Sequence, residues 1–157
     1  MAYLWIALGA VVGASARYFL SGYIAKVFPS SYPYGTLLIN VTGSMLLGFF
    51  LVWTSERVLV DARWRLLVAI GFCGSYTTFS SYAFETFSLF EQGQWLLVGV
   101  NVMASNLLCL ASVLAGAALA RWLNGRPHGR TSNDLPHRRR FLAPSSFAPR
   151  DSQVPAR

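Results

Sequence analysis

The stretch GFCGSYTTFSSYAFETF, residues 71–87, decides how the chain is to be read. It lies in a run, Leu66 to about Phe90, that is otherwise apolar enough for lipid, yet it gathers glycines, hydroxyls, aromatic rings and a carboxylate. Gly71, Gly74 and the consecutive Thr77 and Thr78 are poor choices for an uninterrupted helix. The pattern predicts a helix broken near Gly74–Thr78. In a membrane such a break strands backbone carbonyls and amides, and it survives only where something else, such as an ion or a water-filled cavity, satisfies them. Freed carbonyls are hard oxygen ligands suited to a cation. The restarted helix turns its amides, and the positive end of its dipole, toward an anion.

Three further apolar runs flank this one: Tyr3 to about Ala25, Gly35 to about Thr54, and Trp95 to about Ala120. A helix needs roughly 20 apolar residues to cross the hydrocarbon core, and each run is long enough. With 54% hydrophobic and 12% charged residues, the chain is too apolar for a soluble domain of its length. The expected fold is an all-α integral membrane protein with four transmembrane helices, the third broken. Ala14-Ser15-Ala16 resembles a signal-cleavage site, but no positive charge precedes the run and the helical pattern continues past Arg17. The first run therefore reads as a retained crossing. Cys73 and Cys109 lie inside apolar runs and read as small buried hydrophobes.

Composition changes at Asn124-Gly125. The expected organisation is a four-helix domain over residues 1–123 and a disordered basic tail over residues 124–157, rich in Arg, Pro, Ser and His. The cluster Arg138-Arg139-Arg140 suits the cytoplasmic side of a membrane better than nucleic acid, so no nucleic-acid partner is expected. Arg57, Arg63, Arg65, Arg121 and Arg126 share the side of the termini, whereas the opposite side offers Lys26. By this bias an isolated chain keeps both termini in the cytoplasm.

The polar residues inside the other runs fall into stripes. Gly9 and Gly13 keep one face of the first helix small, so that another helix can approach closely. Arg17, near the end of its apolar part, reads equally as an interfacial anchor or as a group facing a wet vestibule. Thr36, Asn40 and Ser44 share one face of the second helix, close to Gly43 and Gly48. Asn101, Ser105, Cys109 and Ser112 share one face of the fourth. Nothing in that stripe takes up a proton at physiological pH, which argues against a proton relay. Phe79 and Tyr82 share a face and can present ring edges, which are electron-poor, to a small hard anion. By spacing alone, packing is the simpler reading of those two rings. Glu85 lies on a similar face, near where the segment meets water.

These motifs resemble the Fluc (CrcB) family of fluoride channels over roughly residues 5–121. The matches are GAVVGASARY in the first helix, YGTLLINVTGSMLLG in the second, and GFCGSYTTFSSY with Glu85 in the third. The resemblance implies a multi-pass protein of the cell (inner) membrane, an antiparallel, dual-topology dimer with two fluoride pores. It also implies a structural, non-transported sodium ion on the dimer axis, held by backbone carbonyls that map to Gly74 and Thr77. Asn40 matches the pore asparagine and Phe79 the first of two pore phenylalanines; Tyr82 stands where the second would be. Hydroxyls of Thr36, Thr78, Ser80 and Ser105 are expected along the pore together with Asn101 and Glu85, and Arg17 at the vestibule. The strong Lys/Arg asymmetry leaves two partners in view, a second copy inserted the other way or an oppositely oriented homologue.

Passive conduction is the implied activity, with no covalent chemistry and so no enzyme. The main alternative, a proton-coupled small multidrug exporter, needs a carboxylate in the first helix, where this chain has none. A membrane subunit without transport would give no reason for the polar cluster at Gly74–Thr78.

Overall fold

The computed structural model describes residues 1–55 and 60–125. Arg57, Arg126 and the tail arginines, and with them most of the tail proposed from composition, lie outside the described residues. Among the described residues every regular element is helical. Three of the helices, α1 (Ala2–Val27), α2 (Tyr34–Ser55) and α6 (Trp95–Leu123), are long and apolar enough to cross a membrane. Their limits follow the apolar runs, and Pro29 and Pro33 punctuate the connection between α1 and α2.

The third run is built from pieces. A short α3 (Ala62–Trp64) starts at Asp61, whose carboxylate accepts the Arg63 amide at 2.9 Å. The chain then winds as a π-helix over Arg65–Cys73, returns to α-helix in α4 (Gly74–Tyr76), and leaves the helix altogether at Thr77 and Thr78. Thr77 (φ −75°, ψ 156°) and Thr78 (φ −151°, ψ 116°) are extended, and α5 (Phe79–Glu91) begins directly after them. At its far end α5 turns into α6 through Gly93, whose φ of 70° suits glycine.

The wide π winding was not foreseen from the residues. It is accompanied by Ser75, whose hydroxyl lies 2.7 Å from the Gly71 carbonyl, 3.0 Å from that of Ala10 in α1, and 3.2 Å from that of Phe72. One hydroxyl proton thus serves a group of carbonyls that includes one on the neighbouring helix.

Backbone proximity organises the packing. A Cβ at Gly9 would strike the Leu67 carbonyl, one at Gly13 would strike the Phe72 carbonyl and Ser75 Oγ, and one at Gly71 would stand 2.6 Å from the Ile6 carbonyl. α1 and the π-helical stretch therefore run side by side in the same direction, touching main chain to main chain. α2 and α6 do the same where Gly48 meets Val113 and Gly116 meets Met45 and Phe49. Between helices in lipid there is no hydrophobic driving force, so close van der Waals approach is what holds them. The interior is small: Ile39, Cys73 and Asn101 are its most enclosed large side chains, while Leu96, Leu114 and Trp122 point outward. Such an outer surface suits lipid.

Candidate functional site

At Thr77–Thr78 the backbone lacks a helix to satisfy it, and Asn40 on α2 supplies the missing partners. The Thr78 amide donates to Asn40 Oδ1 at 2.8 Å, and Asn40 Nδ2 donates to the Thr78 carbonyl at 3.0 Å. This reciprocal pair imitates one rung of a β-ladder, with a side chain in place of the second strand. An asparagine amide alone among small side chains has both a donor and an acceptor at that spacing. Since Thr78 is buried, leaving either backbone group unpaired would be costly. α2 is brought close enough by Gly43, where a Cβ would collide with the Thr77 methyl.

The rewiring changes which carbonyls are satisfied. In an α-helix the Thr78 amide would serve the Gly74 carbonyl, but here it serves Asn40. The Ser81 amide would serve the Thr77 carbonyl, but it donates at 3.2 Å to Thr78 Oγ1, the N-cap of α5. The carbonyls of Gly74 and Thr77 are thus the two whose helical donors are drawn off to side chains. Gly74 is exposed, and a Cβ there would meet nothing nearer than the Ala69 carbonyl at 3.9 Å. Thr78 Oγ1 also lies 3.1 Å from both Ser80 Oγ and Ser81 Oγ, so Ser80 joins the cap.

Beside the break lies a cleft of about 310 Å³. Asn40 and Ser44 line it from α2, Thr77, Thr78, Phe79 and Tyr82 from the third run, and Ser105, Asn106 and Cys109 from α6, with Leu47 and Leu110 filling between. Asn40 and Ser44 of the α2 stripe and Ser105 and Cys109 of the α6 stripe thus face one space, which Thr36, Asn101 and Ser112 do not line. Phe79 and Tyr82 stack obliquely there, centroids 5.4 Å apart at 53°. Asn40 spends one amide hydrogen on Thr78 and retains the other. α5 starts at this cleft, so its N-terminal end, electropositive by its dipole, lies against it.

Other expected site residues lie elsewhere. Thr36 Oγ1 donates to Glu85 Oε1 at 2.7 Å, and both line a separate pocket of about 210 Å³ near Ser21 and Tyr32. Glu85 Oε2 is buried with no hydrogen-bond partner among the described residues. Asn101 is 1% exposed and sits behind the cleft: its Nδ2 donates to Thr86 Oγ1 at 2.8 Å, and Ser105 Oγ donates to its Oδ1 at 3.3 Å. Thr86 Oγ1 in turn donates to the Tyr82 carbonyl at 2.7 Å. Asn101 and Thr86 therefore fasten α5 to α6. Arg17 is half-buried and forms no ion pair with a described residue.

Sequence reasoning passed over Thr86, Asn106, Ser75 and Thr42. Thr42 shares a 3.0 Å hydrogen bond with the Tyr76 hydroxyl beside the break. A signal existed for two of them. Thr86 falls four residues after Tyr82 and so shares the face of Phe79 and Tyr82, whereas Asn106 directly follows Ser105 and lies one step off the stripe of α6.

A family model described as CrcB-like protein, Camphor Resistance (CrcB), matches residues 4–117. A protein of Koribacter versatilis (strain Ellin345), named Fluoride-specific ion channel FluC, is 63% identical over 119 residues, 76% of this chain and 94% of that protein. Proteins of the same name are similar at 46% identity over 121 residues in Sulfurihydrogenibium sp. (strain YO3AOP1), covering 77% of this chain and 98% of that protein. In Paramagnetospirillum magneticum (strain ATCC 700264 / AMB-1) the identity is 41% over 126 residues, 79% and 98% of the two chains.

Proposed function

This chain belongs to the CrcB-like family, and from that membership we propose that it is a fluoride channel of the cell inner membrane, releasing fluoride from the cytoplasm passively down its gradient. The observation that carries the reading is the cleft at the helix break, where a retained Asn40 hydrogen, the start of α5 and the rings of Phe79 and Tyr82 converge beside Ser44, Thr78 and Ser105. Fluoride holds its water tightly, so a narrow path must replace that shell with donors at close range. The Asn40 amide, hydroxyls and ring edges are donors of that kind. The Thr36–Glu85 pair lies farther along α5, in a pocket separate from the cleft.

The third run completes a fourth crossing, interrupted at Thr77–Thr78. Two features support an antiparallel dimer built around that interruption: Phe79, a pore candidate, is 77% exposed on a single subunit, and Gly74 is exposed beside it. A structural sodium ion fits the donor set, since the carbonyls of Gly74 and Thr77 are hard oxygens deprived of their helical donors. Such an ion would tie two breaks together and add positive potential where an anion passes. Exchange of sodium for a large organic cation is then expected to lower the thermal stability of the assembly, because an ion bound only to the folded dimer stabilises it by mass action. An assembly indifferent to that exchange would remove the ion.

The deciding measurement is efflux from sealed vesicles. Purified protein should dissipate a fluoride gradient, leave chloride in place, and need no proton gradient. A proton-dependent flux of organic cations would favour the exporter instead, though α1 carries no carboxylate to drive one.

A further inference from the structure

The accounting of donors in the cleft singles out a residue that none of the sequence motifs flagged. Ser105 spends its proton on Asn101 Oδ1, at 3.3 Å. Asn106 spends one amide hydrogen on the Val102 carbonyl at 2.8 Å and aims the other at the Tyr82 hydroxyl oxygen at 3.4 Å. An oxygen that accepts from an amide has its own proton left to donate. An asparagine amide nitrogen cannot accept in return, so the direction of this bond is fixed. The Tyr82 hydroxyl thus remains a donor in the cleft that Asn40 also lines.

Tyr82 is also held at its other end. Its carbonyl accepts from Thr86 Oγ1 at 2.7 Å, Thr86 is fixed by buried Asn101 at 2.8 Å, and its ring leans on Phe79 at 5.4 Å. Backbone, ring and hydroxyl are each tied to a different group. An aromatic residue needed only for its ring edge would not require an amide at its hydroxyl.

We propose that Asn106 is a positioning residue which orients the Tyr82 hydroxyl as a second donor station for the anion, following Asn40 along the cleft. This rests on the channel reading above and adds to it a specificity device on α6. A hydroxyl donor at fixed close range favours a small, hard anion over a larger one. The pair therefore raises discrimination for fluoride over chloride as well as flux.

The experiment is a double-mutant cycle in vesicle efflux with Tyr82→Phe, Asn106→Leu and the two together, fluoride and chloride measured in parallel. Tyr82→Phe keeps the ring edge and is expected to lower fluoride efflux and the fluoride-to-chloride ratio by about tenfold, the size of one hydrogen bond to a charged group. Asn106→Leu should produce most of that loss in the wild-type background and almost none in the Tyr82→Phe background. Asn106→Ala supplies the same comparison should the leucine variant not assemble. Equal effects of the Asn106 change in both backgrounds would overturn the proposal, since Asn106 would then act without the hydroxyl. Unchanged flux and selectivity in Tyr82→Phe would overturn it as well. A wild type that conducts fluoride while the cycle is additive removes this inference and leaves the channel reading standing; a wild type that conducts none removes both.

Discussion

Asn40→Asp is expected to cut fluoride efflux about a thousandfold, to the leak of protein-free vesicles. Two effects combine. The carboxylate places a negative charge on the wall of the cleft, and at about 4 Å in an effective dielectric near 20 it repels a passing anion by about 4 kcal/mol. That is about three powers of ten in rate. The second effect falls on the fold. Aspartate still accepts the Thr78 amide but has no hydrogen for the Thr78 carbonyl, which would be left buried opposite another oxygen. An orphaned acceptor costs about 1–3 kcal/mol, so a lowered melting temperature should accompany the lost flux. Asn40→Ala separates the two effects. It adds no charge but strands both the amide and the carbonyl of Thr78, and so should be the less stable of the pair. Efflux and melting temperature measured on both variants check this, and an aspartate variant conducting at the wild-type rate would remove Asn40 from the path.

The same residue shows how far the sequence could be read. Periodicity places Asn40 on one face with Thr36 and Ser44, and the glycines and threonines of residues 71–78 mark the segment where the backbone leaves the helix. What periodicity does not give is the partner. That Asn40 faces Thr78 depends on α2 lying against the third run, a matter of tertiary packing. The limits of α1, α2 and α6 were legible because hydropathy is a bulk property that lipid enforces over some 20 residues. The π-helix over Arg65–Cys73 was not, because leucine, valine and alanine serve either winding equally. Its companion feature, the reach of Ser75 to Ala10, spans two separate runs. Asn101 shows the limit of a stripe. It shares a helical face with Ser105, as periodicity requires, yet it lies behind the cleft because Thr86 on α5 covers it. A helical face packed inside a bundle meets both a cavity and a neighbour, and spacing does not distinguish them.

Gly116→Leu is expected to abolish assembly altogether, whereas Gly99→Leu, on the same helix, should leave it intact. A Cβ at Gly116 would strike the Met45 carbonyl and stand 2.8 Å from the Phe49 amide nitrogen. Those atoms are main chain within α2 and cannot swing aside like the end of a side chain. The two helices would have to separate along the contact that also includes Gly48 and Val113. Ordinary overpacking costs about 1–3 kcal/mol because neighbouring side chains adjust; a backbone collision leaves no such relief. Water would partly compensate a soluble protein by keeping apolar faces together. Lipid does not, since a separated helix finds the acyl chains as congenial as its former neighbour. Separation of α2 from α6 would also pull Ser105 and Asn106 away from Asn40 and open the cleft. Gly99 has nothing within 4 Å of its added Cβ, so it tests whether a leucine on α6 is harmful where it meets no neighbouring backbone. Size-exclusion profiles in detergent decide the matter: Gly116→Leu eluting as a folded assembly would show that α2 and α6 do not meet at these glycines.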